Sequence, residues 1–238
     1  MPNTTPCSAE LSFELSEIFA SVQGEGASAG EPALFVRLAI CNLRCSFCDT
    51  KYSWDFKTYR YEDEVETVPL TELASRIARS GERRVVVTGG EPLLQQAALV
   101  ELFGRLPGEL VIEIETNGTI APSEALVRRV DQWNVSAKLA HSGEPRERRL
   151  DFAALHALRD TGRAHLKLVV RGPEDVAEVE ALIRESGFSR ERVLLMPEAT
   201  TRLEYGTRAR AVEALCGAHG FRFSPRLHVA LWDGARGR

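Results

Sequence analysis

The apolar residues of this chain gather in short runs, and between the runs lie amphipathic stretches of helical period. Residues 33–40 (ALFVRLAI), 84–88 (RVVVT), 110–116 (LVIEIET), 133–139 (WNVSAKL), 165–171 (HLKLVVR) and 192–196 (RVLLM) read as strands. Residues 70–80, 93–103, 123–130, 151–160, 173–186 and 201–218 read as helices. Their ends carry start and stop signals. Ser123 is an N-cap, Pro173 opens a first turn rich in acids, Thr201 and Glu204 make a capping box, and Gly81 and Gly187 follow last turns. Residues 11–21 form a further short strand, and residues 226–232 (RLHVALW) a final one. Residues 51–68 read as a polar and aromatic excursion, 141–149 as a solvated charged loop, and 1–10 as a flexible start.

Strand–helix alternation of this kind means parallel strands joined by right-handed crossovers. About six β/α units fall short of a closed eight-fold barrel. The expectation is a single α/β domain over residues 1–238, built as a partial, about six-stranded β/α barrel. In such folds the working residues sit at the C-terminal ends of strands. Cys41, Thr88-Gly89-Gly90-Glu91, Glu115-Thr116-Asn117, Ser136 with Lys138, and Met196-Pro197-Glu198 all lie there.

Composition narrows the class without deciding it. The chain is 44% hydrophobic and 27% charged, with net charge −4, so nothing attracts it generally to nucleic acid or to a membrane. No apolar run nears the ~20 residues that span a bilayer, and the start lacks a signal-peptide pattern. Three of the five cysteines cluster, so they do not form a disulfide framework, and a cytoplasmic location is expected. Cys7 and Cys216 read as incidental or structural, Cys216 on the inner side of a helix.

The chemistry begins at Cys41-Asn42-Leu43-Arg44-Cys45-Ser46-Phe47-Cys48-Asp49-Thr50. The spacing C-x3-C-x2-C lets one loop wrap a metal centre. A structural zinc would need a fourth ligand. A four-iron cluster held by three cysteines would keep one iron open to a ligand. Spacing alone leaves both readings open. Upstream, Gln23-Gly24-Glu25-Gly26 is a tight turn, or a loop that reads the edge of a polar heterocycle. Arg37 interrupts an apolar strand, so it needs a carboxylate partner, either Glu31 or an anionic ligand.

The C-x3-C-x2-C loop after one strand and Gly89-Gly90-Glu91-Pro92 after the next resemble the radical S-adenosylmethionine enzymes. A narrower set extends nearly the whole chain. It comprises residues 17–26 (EIFASVQGEG), 35–38 (FVRL), Cys48-Asp49-Thr50, residues 88–92 (TGGEP), 115–118 (ETNG), Ser136-Ala137-Lys138 and Arg226-Leu227-His228. It resembles the 7-carboxy-7-deazaguanine synthase family. That resemblance implies a lyase that converts 6-carboxy-5,6,7,8-tetrahydropterin to 7-carboxy-7-deazaguanine and ammonia, within queuosine and 7-deazaguanine biosynthesis. It implies a [4Fe-4S] cluster, S-adenosylmethionine, Mg²⁺, a flavodoxin or ferredoxin as reductant, and a homodimer.

Site roles follow from the same resemblance. Cys41, Cys45 and Cys48 hold the cluster, and Thr50 gives one oxygen to Mg²⁺. Phe47, Cys48, Asp49, Gly90, Glu91, Ser136, Ala137, Lys138, Met196, Pro197 and Glu198 surround S-adenosylmethionine. Val22, Gln23, Gly24, Glu25, Arg37, Thr88 and His228 contact the pterin, with Arg37 on its carboxylate. Ile40 departs from the pattern, which has a glycine before the first cysteine. A glycyl-radical activase and a zinc-binding module are the competing functions. The Gln23–Gly26 stretch and Arg37 argue against the activase.

Overall fold

The computed structural model describes residues 11–238; Cys7 and the expected flexible start at 1–10 lie outside them. In chain order the strands are β1 (Ser12–Val22), β2 (Pro32–Leu38), β3 (Glu66–Pro69), β4 (Arg84–Gly89), β5 (Val111–Thr116), β6 (Gln132–Val135), β7 (Ala164–Val170), β8 (Val193–Pro197) and β9 (Arg222–Phe223). They form one sheet in the order β3-β1-β2-β4-β5-β6-β7-β8-β9. From β2 to β9 every neighbouring pair is parallel. β1 runs antiparallel to β2, and β3 antiparallel to β1. The six strands that alternation predicts are the parallel body, β2 and β4 to β8.

The helices are α1 (Tyr61–Glu64), α2 (Leu70–Ser80), α3 (Gln96–Arg105), α4 (Glu124–Arg129), α5 (Arg146–Arg149), α6 (Phe152–Asp160), α7 (Val176–Ser186), α8 (Arg202–His219) and α9 (Leu227–Trp232). Ser123 and Asp151 cap α4 and α6 with their side chains, and Thr201 and Glu204 close the capping box of α8.

Strand side chains alternate between the two faces of the sheet. On one face Val36, Val87, Ile114, Val135, Leu168 and Leu195 share a single apolar core with Leu73, Leu102, Leu126, Leu155, Val179 and Val212 of the helices. Cys216 is buried on the same side of α8, as expected. The positions of opposite parity include Arg37, Thr88, Glu113, Glu115, Asn134 and Lys167, with Phe35 and Val86 as a small apolar patch. This second face is largely polar and carries the site.

Four expectations need correction. Residues 226–232 are not a strand: Arg226 is the N-cap of α9, in which only Val229 is buried, and the place beside β8 is taken by the two-residue β9. A short apolar run does not tell strand from helix by period, and tertiary context decided. Residues 51–68 contain α1 and β3, and β3 adds an edge because Val68 is buried while it pairs with Phe13. Residues 141–149 are not a solvated loop. Ser142, Glu144 and Arg149 are buried. The charges there are partnered: Arg149 donates to the Lys138 carbonyl at 2.6 Å and pairs with Glu178 at 2.7 Å. The Arg37 partner is Glu17 on β1, at 2.9 Å, and not the exposed Glu31.

Candidate active site

A cavity of about 510 Å³ opens over the polar face, at the C-terminal ends of the parallel strands. Cys41, Cys45, Phe47, Cys48, Asp49 and Thr50 form one wall, in the segment that follows β2. The segment is fixed from several directions. The Ile40 N–H donates to the Ser53 carbonyl at 2.8 Å, and Ser46 N–H to Ser142 at 2.9 Å. Glu144 accepts from the backbone N–H of Arg44.

Ile40 itself has φ 72. A β-branched residue rarely adopts this left-handed backbone, which explains the glycine expected there. On the other side of the entrance the Glu91 N–H donates to the Ile40 carbonyl at 2.9 Å, so the segment after β4 lies against the segment after β2. A Cβ at Gly90 would collide with that carbonyl.

The three thiols are free and open on the same cavity. Burial pushes the Cys41 thiol up to about 11, and burial also raises Cys45. Neither is a thiolate at neutral pH by itself; a bound metal is what deprotonates such groups. Among the described residues, no three His, Cys, Asp or Glu side chains converge as ligands of a single ion. Soft sulfur donors facing one cavity from one loop fit an iron–sulfur cluster. Trp54 donates its indole N–H to Cys48 Sγ at 3.2 Å.

The other predicted residues divide into two groups. Val22, Gly24, Glu25, Arg37, Thr88, Gly90, Ser136, Lys138, Met196 and His228 line the cavity. Lys138 donates to Ser136 Oγ at 2.8 Å. Glu91 is fully buried and does not reach it. Its carboxylate accepts from Leu93 N–H at 3.0 Å, Thr116 Oγ at 2.8 Å and Asn117 N–H at 2.7 Å, so it shapes the turn. Ala137 is buried, and Pro197 and Glu198 lie behind the wall, with Glu198 3.5 Å from His141. Gln23 borders the cavity, but its side-chain amide is spent within the protein. Its Nε2 donates to Glu113 at 2.9 Å and Glu115 at 3.2 Å, and its Oε1 accepts from Glu25 N–H at 3.1 Å.

A charge network forms the floor. Glu25 pairs with Lys167, with Arg226 at 3.1 Å and with His228 at 3.7 Å. Lys167 also lies 3.6 Å from Glu115, which accepts from Thr88 Oγ at 2.7 Å. Burial alone would raise the Glu25 carboxyl, but Lys167, Arg226 and His228 hold it well below the usual carboxylate range. Asp49 is held low against burial in the same way, chiefly by Arg226. Arg37 spends Nε on Glu17, and its two terminal nitrogens make no hydrogen bond among the described residues.

Sequence reasoning placed Glu115 at a working strand end without giving it a ligand role, it missed Lys167, Arg226, Tyr52 and Trp54 as site residues, and it assigned no role to 234–238, which also line the cavity. Two signals were available. A lysine inside the apolar run HLKLVVR is as costly to bury as Arg37, and Glu113 and Glu115 repeat at the strand period.

Known proteins resemble this chain in sequence and fold. The family model described as the radical SAM superfamily matches residues 36–198. A 7-carboxy-7-deazaguanine synthase of Pyrobaculum aerophilum is 43% identical over 223 residues, covering 93% of this chain and 96% of the relative. The Halobacterium salinarum protein of the same name is 39% identical over 245 residues, covering 93% and 91%. The crystal structure of QueE from Escherichia coli superposes with a TM-score of 0.67 at 26% identity, over 90% of this chain and 93% of that one. With full-length relatives at this identity and three free thiols at the head of the sheet, the chain belongs to the radical SAM superfamily and, within it, to the 7-carboxy-7-deazaguanine synthase family.

Proposed function

We propose that this chain, acting as a single domain, converts 6-carboxy-5,6,7,8-tetrahydropterin to 7-carboxy-7-deazaguanine with loss of ammonia, in 7-deazaguanine and queuosine biosynthesis. One observation carries the reading: a single cavity presents three thiols on one wall and an unspent guanidinium fork, Arg37, on another. A fork of that kind matches a carboxylate bidentately.

In this reading Cys41, Cys45 and Cys48 would hold the [4Fe-4S] cluster, and Ser136, Lys138 and Met196, which line the same cavity, would hold S-adenosylmethionine. When bound, the two supply the one-electron chemistry that starts the reaction. The Gly90 backbone accepts from the cofactor's ammonium group. The buried Glu91 carboxylate keeps that turn in shape instead of touching the cofactor. Phe47 and Asp49 flank the last cysteine and face the same space.

The pterin's amino and ring N–H groups need acceptors, and Glu25 and Glu115 offer carboxylate oxygens from the floor. Lys167 and Arg226 keep Glu25 ionised, so that it accepts and does not donate. Thr88 and His228 stand beside these carboxylates. Gln23 acts indirectly, by fixing Glu115 and the Glu25 backbone. Thr50 supplies one oxygen to Mg²⁺, which keeps several waters and needs few protein ligands. A flavodoxin or ferredoxin delivers the electron, and the enzyme works as a homodimer.

The test is anaerobic incubation of cluster-loaded protein with the carboxytetrahydropterin, S-adenosylmethionine, Mg²⁺ and a reductant. Deazapurine product is expected. Its absence from protein with full iron and sulfide content would sink the reading.

A further inference from the structure

We infer that Trp54 raises the reduction potential of the cluster through a hydrogen bond to the sulfur of Cys48. The inference rests on the reading that Cys41, Cys45 and Cys48 ligate that cluster.

Trp54 follows the 3-10 turn Lys51–Ser53, which leads out of the cysteine loop. The turn brings the indole back over the loop, and Nε1 donates to Cys48 Sγ at 3.2 Å. An indole N–H can only donate, and when partly buried it takes a partner. Here that partner is a ligand sulfur. The three cysteines are not equivalent in this respect. Cys41 Sγ accepts a backbone N–H, from Leu43 at 3.4 Å. Among the described residues no side chain donates to Cys41 or Cys45, whereas Cys48 has Trp54 and, at 3.6 Å, the Thr50 hydroxyl.

Arg44 reinforces the donor. Its guanidinium carbon lies 4.8 Å from the centroid of the Trp54 ring. The same group donates to the Cys41 carbonyl at 2.5 Å and the Leu43 carbonyl at 2.9 Å. Among the described residues it forms no ion pair with a carboxylate, and the exposed guanidinium lies close over the ring, where its charge acts at short range. A cation over an indole face draws density from the ring and sharpens the positive end of its N–H.

The consequence is electrostatic. When the cluster takes up an electron, its ligand sulfurs become more negative. A donor fixed on one of them stabilises the reduced form more than the oxidised form, and hydrogen bonds to the sulfurs are among the factors that set cluster potentials. A tryptophan that merely filled space would act only by excluding solvent, an effect that phenylalanine at the same place largely keeps.

The test is a redox titration of the anaerobically reconstituted protein, followed by the electron paramagnetic resonance signal of the reduced cluster. Trp54→Phe keeps an aromatic ring and removes the donor. At the parent's midpoint, its ratio of reduced to oxidised cluster is expected to fall about three- to tenfold; tenfold corresponds to about 59 mV for a one-electron couple. Arg44→Gln keeps the indole, and is expected to lower the ratio in the same direction by less. Midpoints equal to the parent's, in whichever of these variants carries full iron and sulfide, would overturn the inference. A parent protein that binds no stoichiometric iron and sulfide is a different failure, and would sink the cluster reading itself.

Discussion

Arg226 hydrogen-bonds Asp49, 177 residues earlier in the chain and next to the third cysteine of the loop. The same guanidinium pairs with Glu25 at 3.1 Å and donates to the Ala199 carbonyl. One side chain therefore ties together the cysteine loop, the connection between β1 and β2, and the segment after β8. Arg226→Met would leave Glu25 to Lys167 and His228, and the more exposed Asp49 without its charged partner. A hydrogen bond to a charged group contributes about 1.5–3 kcal/mol. The expected result is a lower urea midpoint at an unchanged slope. A midpoint at the parent's value would show that the three segments hold without the tie.

Arg37→Lys keeps the positive charge and loses the fork. Hydrogen bonds to charged groups contribute about 1.5–3 kcal/mol. A fall of about 10- to 100-fold in kcat/KM is expected, carried mainly by KM, with cluster content unchanged. Steady-state kinetics over a range of pterin concentration gives the answer, and an unchanged KM would remove Arg37 from the substrate's carboxylate.

Gly24 touches His228 so closely that a Cβ there would overlap its ring and crowd its backbone nitrogen. The Gly24 carbonyl also accepts the Leu227 N–H at 2.9 Å, so α9 cannot simply move away. Gly24→Ala should displace His228 and weaken pterin binding while S-adenosylmethionine still binds. Calorimetric titration with each ligand distinguishes this from general unfolding, which would abolish both.

Ile40 sits at φ 72, where a left-handed backbone costs a residue with a Cβ roughly 1–2 kcal/mol. Ile40→Gly relieves that strain but adds back about 0.5–1 kcal/mol of unfolded-state entropy. A net gain of up to about 1 kcal/mol is expected by urea denaturation of the cluster-free protein. The Ile40 side chain is partly exposed, so little burial is lost in exchange. A destabilised variant would mean that the isoleucine side chain, not the backbone, holds the loop entrance.

His165 supplies a pH test remote from the thiols. Burial, with Arg192 and Arg222 nearby, lowers its pKa from 6.5 to about 4. The folded protein therefore binds fewer protons than the unfolded chain between these values. This contribution is fully present above pH 6.5 and is lost as pH falls toward 4. His165→Gln should flatten the decline in urea midpoint across that window relative to the parent. Parallel pH profiles for the two proteins would contradict the shift.

The fold was legible where signals are local. The six parallel strands, the capping box at Thr201 and the N-cap at Ser123 follow from period and from side chains within three residues of each other. The α9 helix was not legible, because RLHVALW is too short for its period to separate strand from helix, and β9 has only two residues. In the site, the cysteine loop and Arg37 stood out by residue type. The spending of the Gln23 amide and the Glu91 carboxylate on internal partners did not, since those partners lie on other strands and loops.

The sequence by itself determined a β/α alternation and a C-x3-C-x2-C loop placed after its first parallel strand. Both rest on spacing along the chain, and spacing survives without a fold. Only the tertiary structure decided who neutralises whom: Glu17 for Arg37, Lys167 for Glu25, Arg226 for Asp49, Trp54 over Cys48. Most of these partners are tens to hundreds of residues apart. They meet because successive parallel strands bring their C-terminal ends to one edge of the sheet, and a buried charge there must take its counter-charge from whichever segment arrives beside it.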